Sequence, residues 1–72
     1  MKDKNSAAIE PTTFKNSVLK YVSESALLRT GEVVYCFADE GHQFRVQTMR
    51  PVRGVDQIIF PAESRWKFEI VR

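Results

Sequence analysis

Residues 12–29 read TTFKNSVLKYVSESALLR, the one stretch of the chain whose apolar side chains recur at helical spacing. Counting from Phe14, the residues Val18, Tyr21 and Val22 come at four, seven and eight positions, which lines them along one stripe of an α-helix. Lys15, Asn16 and Lys20 fall on the opposite side. Thr12 or Thr13, just after Pro11, can accept the first unpaired amides as an N-cap. Ser23-Glu24-Ser25 weakens helix propensity and allows an early break. Ala26, Leu27 and Leu28 extend the apolar surface where the helix continues. Gly31 supplies a stop, with Arg29 near the negative end of the helix dipole. On this reading residues 12–29 are a helix packed by its apolar stripe onto the rest of the chain.

Beyond Gly31 the sequence reads as β. Residues 33–38, VVYCFA, are apolar throughout and rich in β-branched and aromatic side chains, as in a strand covered on both faces. In residues 43–49, Phe44, Val46 and Thr48 alternate with Gln43, Arg45 and Gln47. Residues 50–54 read as a loop, since Pro51 lacks a ladder donor and Gly54 invites a turn. Residues 57–60 form a third strand that Pro61 ends, and residues 62–64 form a short connection. In residues 65–71, Trp66, Phe68 and Ile70 face inward and Arg65, Lys67 and Glu69 outward. Short connections favour an antiparallel meander. The expected fold class is therefore α+β: an N-terminal helix on a four-stranded antiparallel meander. A flexible tail is expected over residues 1–11 and a single domain over residues 12–72. The core candidates are Phe14, Val18, Tyr21, Val22, Leu28, Val34, Cys36, Phe44, Val46, Ile58, Phe60, Trp66, Phe68 and Ile70. A helix leading into a small antiparallel sheet resembles Sm-like and SH3-like barrels in outline, an architecture shared by unrelated functions.

Size and charge bound the possible functions. A chain of 72 residues is one domain with a small core. Cys36 is the single cysteine, so no disulfide can form within the chain, and a reducing compartment is expected. No apolar run approaches the roughly 18 residues of a membrane span, and MKDKNSAAIEP lacks the apolar stretch of a signal peptide. A cytoplasmic chain is expected. The formal charge of +2 excludes a polyanion binder that works by bulk charge alone. From Gly41 onward six basic residues face three acids, a mild asymmetry.

Residues 33–44, VVYCFADEGHQF, gather Cys36, Asp39, Glu40 and His42, the residue types that bind metals and move protons. A hairpin explains them better. A two-residue loop at Glu40-Gly41 would set Phe37 opposite Phe44. A three-residue loop at Asp39-Glu40-Gly41 would set Cys36 opposite Phe44, with Gly41 in the left-handed position of a bulge. The turn chemistry favours the second. Zinc requires about four ligands, and no second cysteine or histidine exists to complete a set. The sole histidine sits at the tip with no evident partner to orient it, and no glycine-rich phosphate loop is present. No catalytic residue, metal or cofactor is expected.

Two binding features remain. Tyr35, Phe37 and Arg45 on one sheet face, with Arg65 and Lys67 on the last strand, interleave rings and cations as single-strand nucleic-acid binders do. The last strand, RWKFEIVR, would form a sheet edge able to add a partner strand, with Trp66 as an anchor. The candidate partner-binding residues are Tyr35, Arg45, Arg50, Arg53, Arg65, Trp66 and Lys67. The function expected is a non-enzymatic regulatory or inhibitory module that docks on another protein. The alternative is a nucleic-acid-binding regulator. A homodimer through the C-terminal strands would compensate for the small core.

Overall fold

In a computed structural model the described residues are 13–72. The tail expected over residues 1–11, and Thr12, lie outside the described residues. The chain forms five antiparallel strands: β1 (Ser17–Tyr21), β2 (Val33–Asp39), β3 (Gln43–Val52), β4 (Val55–Pro61) and β5 (Phe68–Ile70). A 3-10 helix, Ala62–Lys67, links β4 to β5. The order across the sheet is β4-β3-β2-β1-β5, so the last strand returns to pair with the first.

No α-helix occurs among the described residues, and the expected helix over 12–29 is replaced by a central strand. The α+β expectation is overturned: the fold is nearly all sheet, and the helix-led outline is lost with it. The cause lies in residues 14–22. Asn16 takes a φ of 63°, a left-handed conformation that asparagine tolerates but a helix interior excludes. Ser17 donates to the Phe14 carbonyl at 3.0 Å, closing a tight turn there. From Ser17 the burial alternates. Leu19 and Tyr21 are fully buried, whereas Val18 (39% exposed), Lys20 and Val22 face solvent. Lys20 lies opposite Val33 on one side and Glu69 on the other, so β1 is hydrogen-bonded along both edges. Burying side chains such as Leu19 and Tyr21 is worth about 1.5–3 kcal/mol each. Helix propensity differs among these residues by only a few tenths of a kcal/mol, so packing prevails. Val18 and Val22 therefore leave the expected core.

The segment between β1 and β2 is held by its own polar groups. The Ser25 hydroxyl accepts from the Leu27 and Leu28 amides, both at 3.2 Å, and Leu28 is buried. The Gly31 amide, at a φ of 89°, reaches the Tyr21 carbonyl at 2.7 Å. The glycine expected to end a helix instead opens the approach to β2.

The β2–β3 hairpin adopts neither expected register. Asp39 lies opposite Phe44, and Glu40 donates to the Gln43 carbonyl at 2.8 Å, leaving Gly41-His42 as a two-residue turn. A positive φ at Gly41 but not at His42 is the pattern of a type II′ turn. The bulge falls at Phe37, between the pairs Cys36–Val46 and Ala38–Arg45. The strand β3 runs on through Arg50-Pro51-Val52, where a loop was expected. Arg53-Gly54 then turns it into β4 with both φ values positive, as a type I′ turn requires.

The C-terminal stretch departs furthest from expectation. Residues 65–67 belong to the 3-10 helix, and only Phe68–Ile70 is strand. Trp66, expected inside, is 70% exposed. The connection swings β5 across to β1, where Val22 donates to Lys67 O at 2.7 Å and Val71 to Val18 O at 2.8 Å. The simple meander is thereby corrected. The curl brings the two ends of the sheet together, with the Phe60 and Phe68 rings 5.1 Å apart. Phe44 sits at the centre, 5.3–5.6 Å from Phe14, Phe60 and Phe68. Leu19, Tyr21, Leu28, Val34, Cys36, Val46 and Val52 complete the core, against which Ile58 and Ile70 pack.

Candidate functional site

The candidate surface rests on a partly buried ion pair. Arg65, from the 3-10 helix, donates Nη1 to Asp39 Oδ2 and Nη2 to Oδ1, both at 2.6 Å. The same carboxylate accepts the Phe14 amide at 2.9 Å and the Gly41 amide at 3.0 Å. Nη2 also reaches Gly41 O at 3.0 Å. The guanidinium carbon lies 5.3 Å and 5.1 Å from the ring centroids of Phe14 and Phe44. One side chain thus joins the end of β2, the hairpin tip, the approach to β1 and the 3-10 helix. Hydrogen bonding from Arg65 holds the Asp39 carboxyl far below its usual range, against the opposing effect of burial. Asp39 in turn raises the Arg65 guanidinium. Desolvation offsets much of such a pair's attraction, so its main effect is to fix geometry.

Trp66 is the residue that this geometry fixes. The residue before it is bonded to Asp39, and the Lys67 carbonyl after it accepts from the Val22 amide, just past the end of β1. The indole therefore stands in solvent on a rigid base, with Lys67 Nζ 5.6 Å from its ring centroid.

The outer face of the sheet is the second surface. Val18, Tyr35, Gln47 and Gln57 form one row across four strands. Ala38, Arg45 and Ile59 form the next. Val33, beside Lys20, extends the apolar area. The Tyr35 hydroxyl donates to Asn16 Oδ1 at 3.2 Å. Val18 and Ile59 are the exposed apolar side chains of this face, and Gln47 and Arg45 lie on the strand between them.

The seven residues expected to bind a partner do not converge. Tyr35 and Arg45 lie on the outer face, where Arg45 Nε is 3.2 Å from Glu40 Oε2. Arg53 occupies the β3–β4 turn. Trp66 and Lys67 sit together on the 3-10 helix. Arg65 and Arg50 are each bonded to a carboxylate, Asp39 and Glu32. Arg50 Nε and Nη2 bind the two Glu32 oxygens at 2.7 Å and 2.8 Å, and Nη2 caps Leu27 O at 3.3 Å. That contact lowers the Glu32 carboxyl below its ordinary value. The pair lies in the wall of an open groove lined also by Arg29, Thr30, Gly31 and Met49. Val18 and Ile59 on the outer face were missed from sequence. The signal for Val18 was the period-two pattern of residues 17–22, obscured by the coincident helical stripe.

The acid–base residues of the hairpin are dispersed. Cys36 is fully buried, donates its thiol to Ala38 O at 3.3 Å, and burial pushes its pKa up. Asp39 is committed to Arg65, Glu40 binds Gln43 Nε2 at 2.6 Å, and His42 is exposed. Among the described residues no three His, Cys, Asp or Glu side chains come together as metal ligands. Among the same residues no helix is long and apolar enough to cross a membrane.

The chain is thus a small curled five-stranded sheet with a solvent-exposed tryptophan on a hydrogen-bonded 3-10 segment. No protein-family model, curated protein or solved structure matches it.

Proposed function

We propose that the protein is a non-enzymatic regulatory or inhibitory module that docks on another protein in the cytoplasm, with Trp66 as its anchor. The observation that carries this reading is the exposure of Trp66 on a segment that the Asp39–Arg65 pair immobilises. An anchor whose flanking residues are already bonded loses little backbone entropy on binding, and tryptophan is among the residues most enriched at binding hot spots. The outer face around Val18 and Tyr35 supplies area beyond the anchor. The buried Cys36 thiol suits a reducing compartment. The nucleic-acid alternative loses support, because Arg65 and Arg50 are bonded to carboxylates and Arg45 lies against Glu40.

The test is affinity capture from the native host with the intact chain and with Trp66→Ala. The docking reading expects one protein captured in stoichiometric amount and retained in high salt. It also expects Trp66→Ala to weaken capture at least about 30-fold, as loss of a hot spot does. Capture of nucleic acid that fades steeply with salt and is indifferent to Trp66→Ala would overturn it.

A further inference from the structure

The sheet has two ends, and they are not alike. The β5 end offers three residues, flanked by Lys67 and Arg72. The β4 end offers seven, Val55–Pro61, with Asp56 as the one charge within it and Arg53 two residues before it. Edge strands are normally blunted by cations, bulges or brevity. Among the described residues no strand lies beyond β4.

The ladder decides which backbone groups that edge presents. Glu40 donates to Gln43 O, and Ala62 donates to His42 O at 3.0 Å. Antiparallel pairs alternate between bonded and non-bonded. Phe60 and Ile58 therefore exchange bonds with Phe44 and Val46, in the register that β3 keeps with β4. Gln57 and Ile59 turn their N–H and C=O groups away from β3. Pro61, which has no N–H, ends the row of donors.

We propose that this edge pairs with the same edge of a second copy, antiparallel about a two-fold axis at Ile58. Gln57 and Ile59′ then exchange two backbone hydrogen bonds, as do Ile59 and Gln57′. The side chains agree with this register. On the outer face Val55, 53% exposed, meets Pro61′, and Ile59, 52% exposed, meets Gln57′. Asp56 lies opposite Phe60′, so the two carboxylates are placed at opposite ends of the ladder and no like charges face each other. The pairing is isologous and closes at two chains. It relocates the expected dimer from the C-terminal strand to β4 and is independent of docking through Trp66. Four backbone bonds imply an interface at the small end of the range, and hence a weak, concentration-dependent dimer.

Sedimentation equilibrium of the full chain from about ten micromolar to about one millimolar, in the range expected of a small interface, reads the association. Amide exchange by NMR, taken on the same samples, locates it. The expected result is a shift from one-chain to two-chain mass, with the Gln57 and Ile59 amides slowing in step while the rest of the sheet is unchanged. Ile59→Pro removes an N–H that the internal ladder does not use, and Ile59→Lys adds a cation at the middle of the edge. Both should keep the native circular dichroism and weaken the dimer at least tenfold. A one-chain mass throughout would overturn the proposal. So would species larger than two chains, or a dimer that survives both substitutions with its Gln57 and Ile59 amides still exchanging fast.

Discussion

At the scale of single residues, Asp39 matters most. Its carboxylate accepts two guanidinium and two backbone bonds. Breaking charge-assisted hydrogen bonds of such a partly buried pair costs about 1.5–3 kcal/mol, a large part of the roughly 0.05–0.15 kcal/mol per residue that stabilises a domain. Asp39→Asn should therefore lower the urea midpoint at neutral pH far more than a substitution at exposed Glu63. The depressed folded-state pKa sets the sign of the pH effect. The unfolded chain takes up a proton near pH 4, whereas the folded chain resists it. The pair's stabilisation is complete above about pH 4 and is lost as pH falls below that. Between pH 5 and pH 3 the native chain should lose more stability than Asp39→Asn. Equal slopes would mean that the carboxylate is not bound as described. None of this was legible in the sequence. Asp39 and Arg65 are 26 positions apart, and an aspartate beside a glycine reads as an ordinary solvated turn.

At the scale of elements, legibility tracked the periodicity of each stretch. Residues 43–49 show only period two, and the alternation of Phe44, Val46 and Thr48 is kept in the structure. Residues 14–22 satisfy two periods at once, because Phe14, Val18, Tyr21 and Val22 make a helical stripe while Ser17, Leu19 and Tyr21 make a strand face. The choice is made by neighbours on both sides of β1, which no local pattern contains. Residues 65–71 failed for a related reason. They alternate as a strand would, but Arg65 is drawn to Asp39 and tightens residues 62–67 into a 3-10 helix that turns Trp66 outward. An inversion between neighbours is the expected consequence. Leu19→Ala should cost about 2–5 kcal/mol, as for a filled core site, and Val18→Ala less than about 1 kcal/mol, as for a surface site. Denaturant unfolding decides it, since a helix with the Phe14–Val18–Tyr21–Val22 face inside would make Val18 the costly one.

At the scale of the whole molecule, the central claim is that residues 17–21 form the strand that joins β2 to β5. The outer face, the return of β5 and the outward Trp66 all depend on that placement. The bonds from Tyr21 to Glu32 O and from Val22 to Lys67 O set the phase of the ladder. They make Val18–Tyr35 and Lys20–Val33 non-hydrogen-bonded pairs, whose Cα atoms approach to about 4.5 Å and whose α-protons point at each other. A nuclear Overhauser spectrum of the purified chain reads this directly. Strong cross-peaks are predicted between the α-protons of Val18 and Tyr35 and between those of Lys20 and Val33. Absence of both, with cross-peaks three residues apart running through residues 14–28, would contradict the central strand and restore the helix.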